Sequence, residues 1–275
     1  MQKPFHYGID KLTVGICMDI ANGLVKAILS PKAIEQVQQS KAYVEEIVAS
    51  RQTVYGINTG FGSLCDTQIS AADTRQLQHN LLQSHSVGVG NPIPTIVAKL
   101  MLITKVHALA QGYSGVSLAT LERIIWHIEQ DIIPVVPEKG SVGASGDLAP
   151  LSHLFLPLIG LGKVWVDGVQ KETDAVLQAH QLSPIALGPK EGLALINGTQ
   201  FILSFAVAAV AKMHQALETA DIIGAMSLEG LMGSARPFDP RLHQLRPFAG
   251  CIRVAERLSI LLKISHWGTW SAPIS

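Results

Sequence analysis

Little in this 275-residue sequence is aromatic or charged: aromatic residues make up 5% and charged residues 15%, against 48% hydrophobic. Lys and Arg number 21 and so do Asp and Glu, so neither sign is in excess to draw nucleic acid or form an acidic tail. Cysteine is scarce. Cys17, Cys65 and Cys251 stand far apart, without metal-site spacing or the even count of a disulfide framework, and they fit a reducing compartment. Long hydrophobic runs are missing too. The longest, Phe201 to Ala211, falls short of the ~20 residues of a membrane span. The N-terminal MQKPFHYGIDKLTVGICMD alternates polar and apolar residues and lacks the continuous core of a secretory signal. The expectation is a cytoplasmic protein with no membrane and no nucleic acid among its partners. Low charge with abundant Ala, Leu, Ile and Val implies much buried helix surface, part of it against other subunits.

Helical signals dominate what is present. Ser30-Pro31 pairs a cap residue with Pro at the first helical position, and Ile34, Val37, Val44, Ile47 and Val48 follow at helical spacing. Ser70 to Asp73 has capping-box spacing ahead of Leu77, Leu81 and Leu82. Pro94 to Gln111 reads as a strongly apolar helix ended by Gly112, and Ser117 opens another through Ile128 that stops before Pro134. Strand signals are few. Lys163 to Gln170 predicts a hairpin around Asp167-Gly168. From Gly198 the pattern is helical almost to Met232, and again from Ile252 to Lys263.

The segment GSVGASGDLA, from Gly140 to Ala149, is poor in side chains and lets backbone approach backbone. It fails three nucleotide and nucleophile patterns. No Gly-Lys pair sits at phosphate-loop offset, the dinucleotide glycine spacing is wrong, and Asp147 occupies the second glycine of a nucleophile elbow. Two readings remain: a plain turn, or backbone cyclisation. In the second, the Gly146 nitrogen attacks the Ala144 carbonyl carbon, water leaves to give an imidazolone, and loss of the Ser145 hydroxyl leaves an exocyclic methylene. The product is an electrophile that no ordinary side chain supplies.

GSVGASGDLAPLSHL at 140–154 resembles the signature of the histidine and aromatic amino acid ammonia-lyases. YGINTGFG at 55–62 resembles that family's tyrosine-bearing loop, and KEGLALINGTQ at 190–200 its asparagine-bearing segment. Order and spacing agree, and the similarity runs from about Tyr7 to about Leu262. The resemblance implies a mainly α fold: a fumarase- and aspartase-like helical bundle with a smaller N-terminal α+β domain that carries the loop. It would divide the chain into 1–197, a bundle start at 198–263, and an atypical tail at 264–275. It implies a methylidene-imidazolone built from Ala144, Ser145 and Gly146, with no metal and no nucleotide, in a homotetramer. Tyr55 would take a proton from the substrate β-carbon, although a phenol with an ordinary pKa of about 10 must be shifted down to do so near pH 7. Asn197 would lie beside the electrophile, Gly62 would line the substrate, and His85 would face the substrate side chain. The pair Ser84-His85 is the one the resemblance associates with L-histidine, converted to trans-urocanate and ammonia. Helix N-termini aimed at the ring would stabilise negative charge there.

Taken singly, Tyr55 reads as a packed amphipathic side chain, His85 as a structural hydrogen-bonder and Asn197 as a turn residue. His79 and His85 lack metal-ligand spacing on a helix, and H-E-x-x-H is missing. Only the joint pattern points to a site. Two departures stand out. RPFAGC at 246–251 replaces a more polar family stretch. The family's next signature, Gln-Asp-x-Tyr-Ser-x-Arg, with the arginine that binds the substrate carboxylate, is expected soon after Ile264, where the chain reads HWGTWSAPIS. A truncated or frameshifted product is expected, either a lyase by chemistry or a non-catalytic fragment that assembles with a full-length lyase.

Overall fold

The computed structural model describes residues 3–50, 54, 56, 57, 59, 71–144 and 146–264. The chain opens with β1 (Phe5–Tyr7), α1 (Val14–Ala21) and β2 (Ala27–Leu29), the strands pairing in parallel with Phe5 opposite Ala27. α2 (Pro31–Ala49) begins as its sequence predicts. Ser30 Oγ accepts from the Ala33 N–H at 3.1 Å, and Pro31 stands where a missing N–H leaves nothing unpaired. α3 (Ala71–His85) buries Leu81 and Leu82, whereas the Ser70 cap lies outside the described residues. β3 (Val89–Pro92) leads to α4 (Thr95–Leu109), whose N-cap is Pro94. α5 (Leu118–Glu129) is capped by Ser117, whose Oγ accepts from the Thr120 N–H at 3.2 Å.

β4 (Ile133–Pro134) and β5 (Pro137–Lys139) come next, then α6 (Leu148–Phe155) with a 3₁₀ turn over Leu156–Ile159. β6 (Lys163–Val166) and β7 (Val169–Glu172) form the predicted hairpin. Asp167 and Gly168 both have positive φ, 52° and 76°, as a two-residue turn with strand-matching twist requires. α7 (Thr173–Ala179), α8 (Glu191–Ile196), α9 (Gln200–Gly230), α10 (Pro240–Gln244) and α11 (Ala249–Ile264) complete the order. β5 pairs with β3, and β4 pairs with β6. The architecture is mainly α with small sheets. Strands of two to four residues, such as β3 and β4, are too short for an alternating pattern to register.

The chain divides into two compact units, Met1–Ala208 and Ala209–Ser275, with the division inside α9. In the first unit, α4 is the central core helix. Ten of its 15 residues are buried, which is why no polar face shows in its sequence. α1 and α5 pack against it. In the second unit, Arg257 of α11 reaches Glu218 at 3.5 Å and Asp221 at 3.4 Å on α9. The buried apolar side chains described there are Ala225, Ala255 and Leu262, while Leu217, Met226 and Leu231 are exposed. One expectation needs correcting. Counting only the unbroken run from Phe201 understates this region: Glu191–Gly230 is long and apolar enough to cross a membrane by length and composition, with 33% of its most apolar stretch buried. Glu191–Gly230 takes in α8, the bend at 197–199 and α9.

Candidate active site

The loop between β5 and α6 is held from two sides. On one side stands the segment that joins α8 to α9. The Asp147 N–H donates to the Gly198 carbonyl at 2.7 Å. Gly146 has φ +101°, and a Cβ built on it would strike the Gly198 carbonyl oxygen and lie 2.9 Å from the Gly198 nitrogen. Glycine is therefore required at 146 for its conformation and for its neighbour. Asp147 is fully buried. It occupies the N-cap position of α6 but makes no cap bond there. Its carboxylate turns to α9 instead, where Oδ2 accepts the Phe201 and Ile202 N–H groups at 3.1 and 3.2 Å. Oδ1 accepts from Ser141 Oγ at 2.7 Å, which ties the loop to its own start. The open N–H groups of a helix start attract such a carboxylate. The first turn of α9 is thus occupied by Asp147, which qualifies the expectation that helix N-termini aim freely at the ring.

On the other side is the turn after α3. His85 ends α3, half-buried, with Nδ1 2.9 Å from the Leu81 carbonyl and 3.1 Å from Ser84 Oγ. Gly88, three residues on, donates its N–H to His153 Nε2 of α6 at 3.0 Å. Burial holds the His153 imidazole below its usual pKa, in keeping with a neutral ring that accepts this bond. A Cβ on Gly140 would lie 3.1 Å from Gly88 Cα, so this turn and the start of the loop are in backbone contact. Ser152 Oγ donates to the Leu82 carbonyl at 2.6 Å and completes the docking of α6 on α3.

Asn197, at the C-terminus of α8, is exposed, and its N–H donates to the Leu193 carbonyl at 2.9 Å. Its carbonyl accepts from Lys105 Nζ of α4 at 2.7 Å. Lys105 is buried, and desolvation pulls its pKa down to about 7. A Cβ on Gly56 would lie 2.7 Å from Leu193 Cδ2, so the flank of the tyrosine-bearing loop rests on the helix that ends at Asn197. Tyr55, Gly62 and Ser145 themselves lie outside the described residues. Ala144 is exposed and Gly146 half-buried. The structure therefore joins the segments bearing His85, Ala144–Gly146 and Asn197. Sequence reasoning missed Asp147 and Lys105. A lysine flanked by apolar residues on a largely apolar helix was the available signal for the second.

The sequence profile of the aromatic amino acid lyases matches residues 12–271, nearly the whole chain and past the Leu262 at which the motif resemblance fades. The chain belongs to the aromatic amino acid lyase family. It is 45% identical over 258 residues to the histidine ammonia-lyase of Homo sapiens, with 94% of this chain and 39% of that one covered. The crystal structure of histidine ammonia-lyase from Trypanosoma cruzi superposes with a TM-score of 0.84 at 35% identity, over 93% of this chain and 49% of that one. Tyrosine aminomutase from Streptomyces globisporus superposes with a TM-score of 0.87 at 34% identity, over 95% of this chain and 49% of that one. The chain spans about half the length of these relatives, or less. Proteins named for different reactions thus share the fold of this half.

Proposed function

We propose that this chain is the electrophile-bearing part of a histidine ammonia-lyase, which converts L-histidine to trans-urocanate and ammonia. The observation that carries the reading is the bracing of Ala144–Gly146. Gly198 backbone presses on Gly146, and Asp147 anchors the loop end to α9. These contacts hold the C-terminal end of the tripeptide, where the attacking nitrogen lies. The residues fit the group: Gly146 offers an unhindered nitrogen and Ala144 a small acyl side. Cyclisation joins the Gly146 nitrogen to the Ala144 carbonyl carbon and releases two waters, one from that carbonyl and one from Ser145. The methylidene-imidazolone would supply an electrophile that draws electrons from the bound amino acid.

The chain's own residues then divide the work. Tyr55 removes a β-proton, His85 faces the imidazole of the substrate, and Asn197 and Gly62 line its place. Residues 1–197 carry the loop and 198–263 begin the long-helix bundle of a cytoplasmic homotetramer. A second reading, a non-catalytic chain that assembles with a full-length lyase, is favoured by the exposed apolar side chains of α9 and α11, such as Leu217 at 61% and Ile260 at 59%.

The deciding measurement is the mass of the proteolytic peptide containing Ala144–Gly146, together with urocanate absorbance on adding L-histidine. A peptide two waters lighter than its sequence supports the electrophile, and Ser145→Ala should restore the unmodified mass without unfolding the chain. Urocanate formed by the chain alone would remove the second reading. An unmodified peptide would remove the first.

A further inference from the structure

Lys105 is an unusual residue for its position. It lies in α4 on a helix whose buried side chains are otherwise nearly all apolar, and only 2% of it is exposed. Lysine is rarely this deep unless its charge or its donors are used. Among the described residues it makes no ion pair within 4.0 Å. Its Nζ donates instead to the Asn197 carbonyl at 2.7 Å. Other polar atoms are sealed nearby. A Cβ on Gly198 would strike Gln200 Oε1 and lie 3.2 Å from Lys105 Nζ. Among the described residues, Gln200 Oε1 is buried without a hydrogen-bond partner, as is Ser204 Oγ one turn further along α9.

We propose that Lys105 is a positioning residue for the lyase site: by holding the Asn197 carbonyl it fixes the Asn197–Gly198 peptide, and with it both the Asn197 side chain and the seat of the Ala144–Gly146 loop. The inference rests on the lyase reading above. Its chain of contacts is short. Lys105 Nζ holds Asn197 O, Gly198 O accepts the Asp147 N–H at 2.7 Å, and Gly146 lies against Gly198 too closely for a side chain. Lys105 touches no reacting atom in this scheme and acts through the peptide it holds.

A lysine kept for packing and one kept for positioning make opposite predictions. Methionine is close to lysine in length and has no charge to desolvate. Lys105→Met removes a buried ammonium without a counter-ion, so the unfolding midpoint should stay or rise. Positioning predicts that the same variant forms the ring about tenfold less or worse, because the donor that holds the Asn197 carbonyl is gone. Lys105→Arg keeps a cationic donor on a long stem and should retain the ring.

The test takes the full purified chain as wild type, Lys105→Met and Lys105→Arg. It records the mass of the 144–146 peptide, the thermal midpoint and the amide NMR spectrum. A two-water loss in wild type and Lys105→Arg, with an unmodified peptide in a folded Lys105→Met, supports the proposal. Equal loss in Lys105→Met overturns it and leaves the lyase reading standing. An unmodified wild-type peptide counts against the lyase reading, and the Gly198 and Asp147 amide resonances then decide the positioning role. They move in Lys105→Met if Lys105 fixes the peptide and stay in place if it does not. Should Lys105→Met not fold, Lys105→Gln, a shorter neutral donor, takes its place. It is expected to displace the same amides and lose the ring, and unchanged amides and ring there would overturn the proposal.

Discussion

α4 and the part of α9 beyond Ala208 are both rich in aliphatic residues, yet their surroundings are opposite. In α4, Leu100, Met101 and Ile103 have 0% exposure. In α9, Met213, Leu217 and Met226 are 65%, 61% and 64% exposed, and Ala225 is buried. Apolar composition says that a surface favours cover; it does not say where the cover comes from. α4 finds its cover within the first unit, against α1 and α5. The exposed stretch of α9 finds no such cover among the described residues.

The sharpest way to break this contrast is to empty the core. Leu121 is fully buried. Leu121→Ala should destabilise the chain by about 2–5 kcal/mol in urea unfolding, the range for a buried large-to-small change. A loss under about 1 kcal/mol would mean that the first unit is not close-packed around α4. Asp147→Ala comes next. It removes a buried carboxylate from two α9 N–H groups and from Ser141, and by the scale of lost caps and charged hydrogen bonds it should cost about 2–3 kcal/mol. No change in urea midpoint would show that α9 starts without its distant cap.

A pH series tests the buried polar part of the same core. Burial pushes the His127 imidazole down to about 4, the main cause, while its bond to the Ile132 carbonyl acts the other way. The unfolded ring titrates near the ordinary value of about 6.5. Between those values the unfolded chain binds more protons, so stability falls as pH drops from about 6.5 towards 4 and is fully present above that window. His127→Gln keeps a donor without the titration and should lose part of this acid slope. An identical slope in the variant would clear His127 of the effect. The smallest change belongs to the other helix. Leu217→Ala should alter stability by no more than about 0.5 kcal/mol. A larger loss would reveal that Leu217 is covered in solution, and it would sharpen the comparison by locating the missing cover.

Local chemistry was legible in the chain itself. Ser30 and Ser117 read as helix caps and are caps, because an N-cap bond spans only three residues. Asp167-Gly168 reads as a turn because both positions need positive φ, which those residues tolerate. Family membership was also legible, since three motifs keep their order and spacing over most of the chain. The tertiary structure alone decided what joins distant segments. Asp147 stands in the sequence only as the residue that breaks a nucleophile-elbow pattern, yet its carboxylate bonds Phe201 and Ile202, 54 and 55 residues away. Lys105 drew no reading from the sequence, and its role shows only once Asn197, 92 residues on, is placed against its Nζ. Sequence rules of spacing act within a few turns of a helix or strand, whereas a buried charge is matched by whatever folding brings near, and only packing determines that.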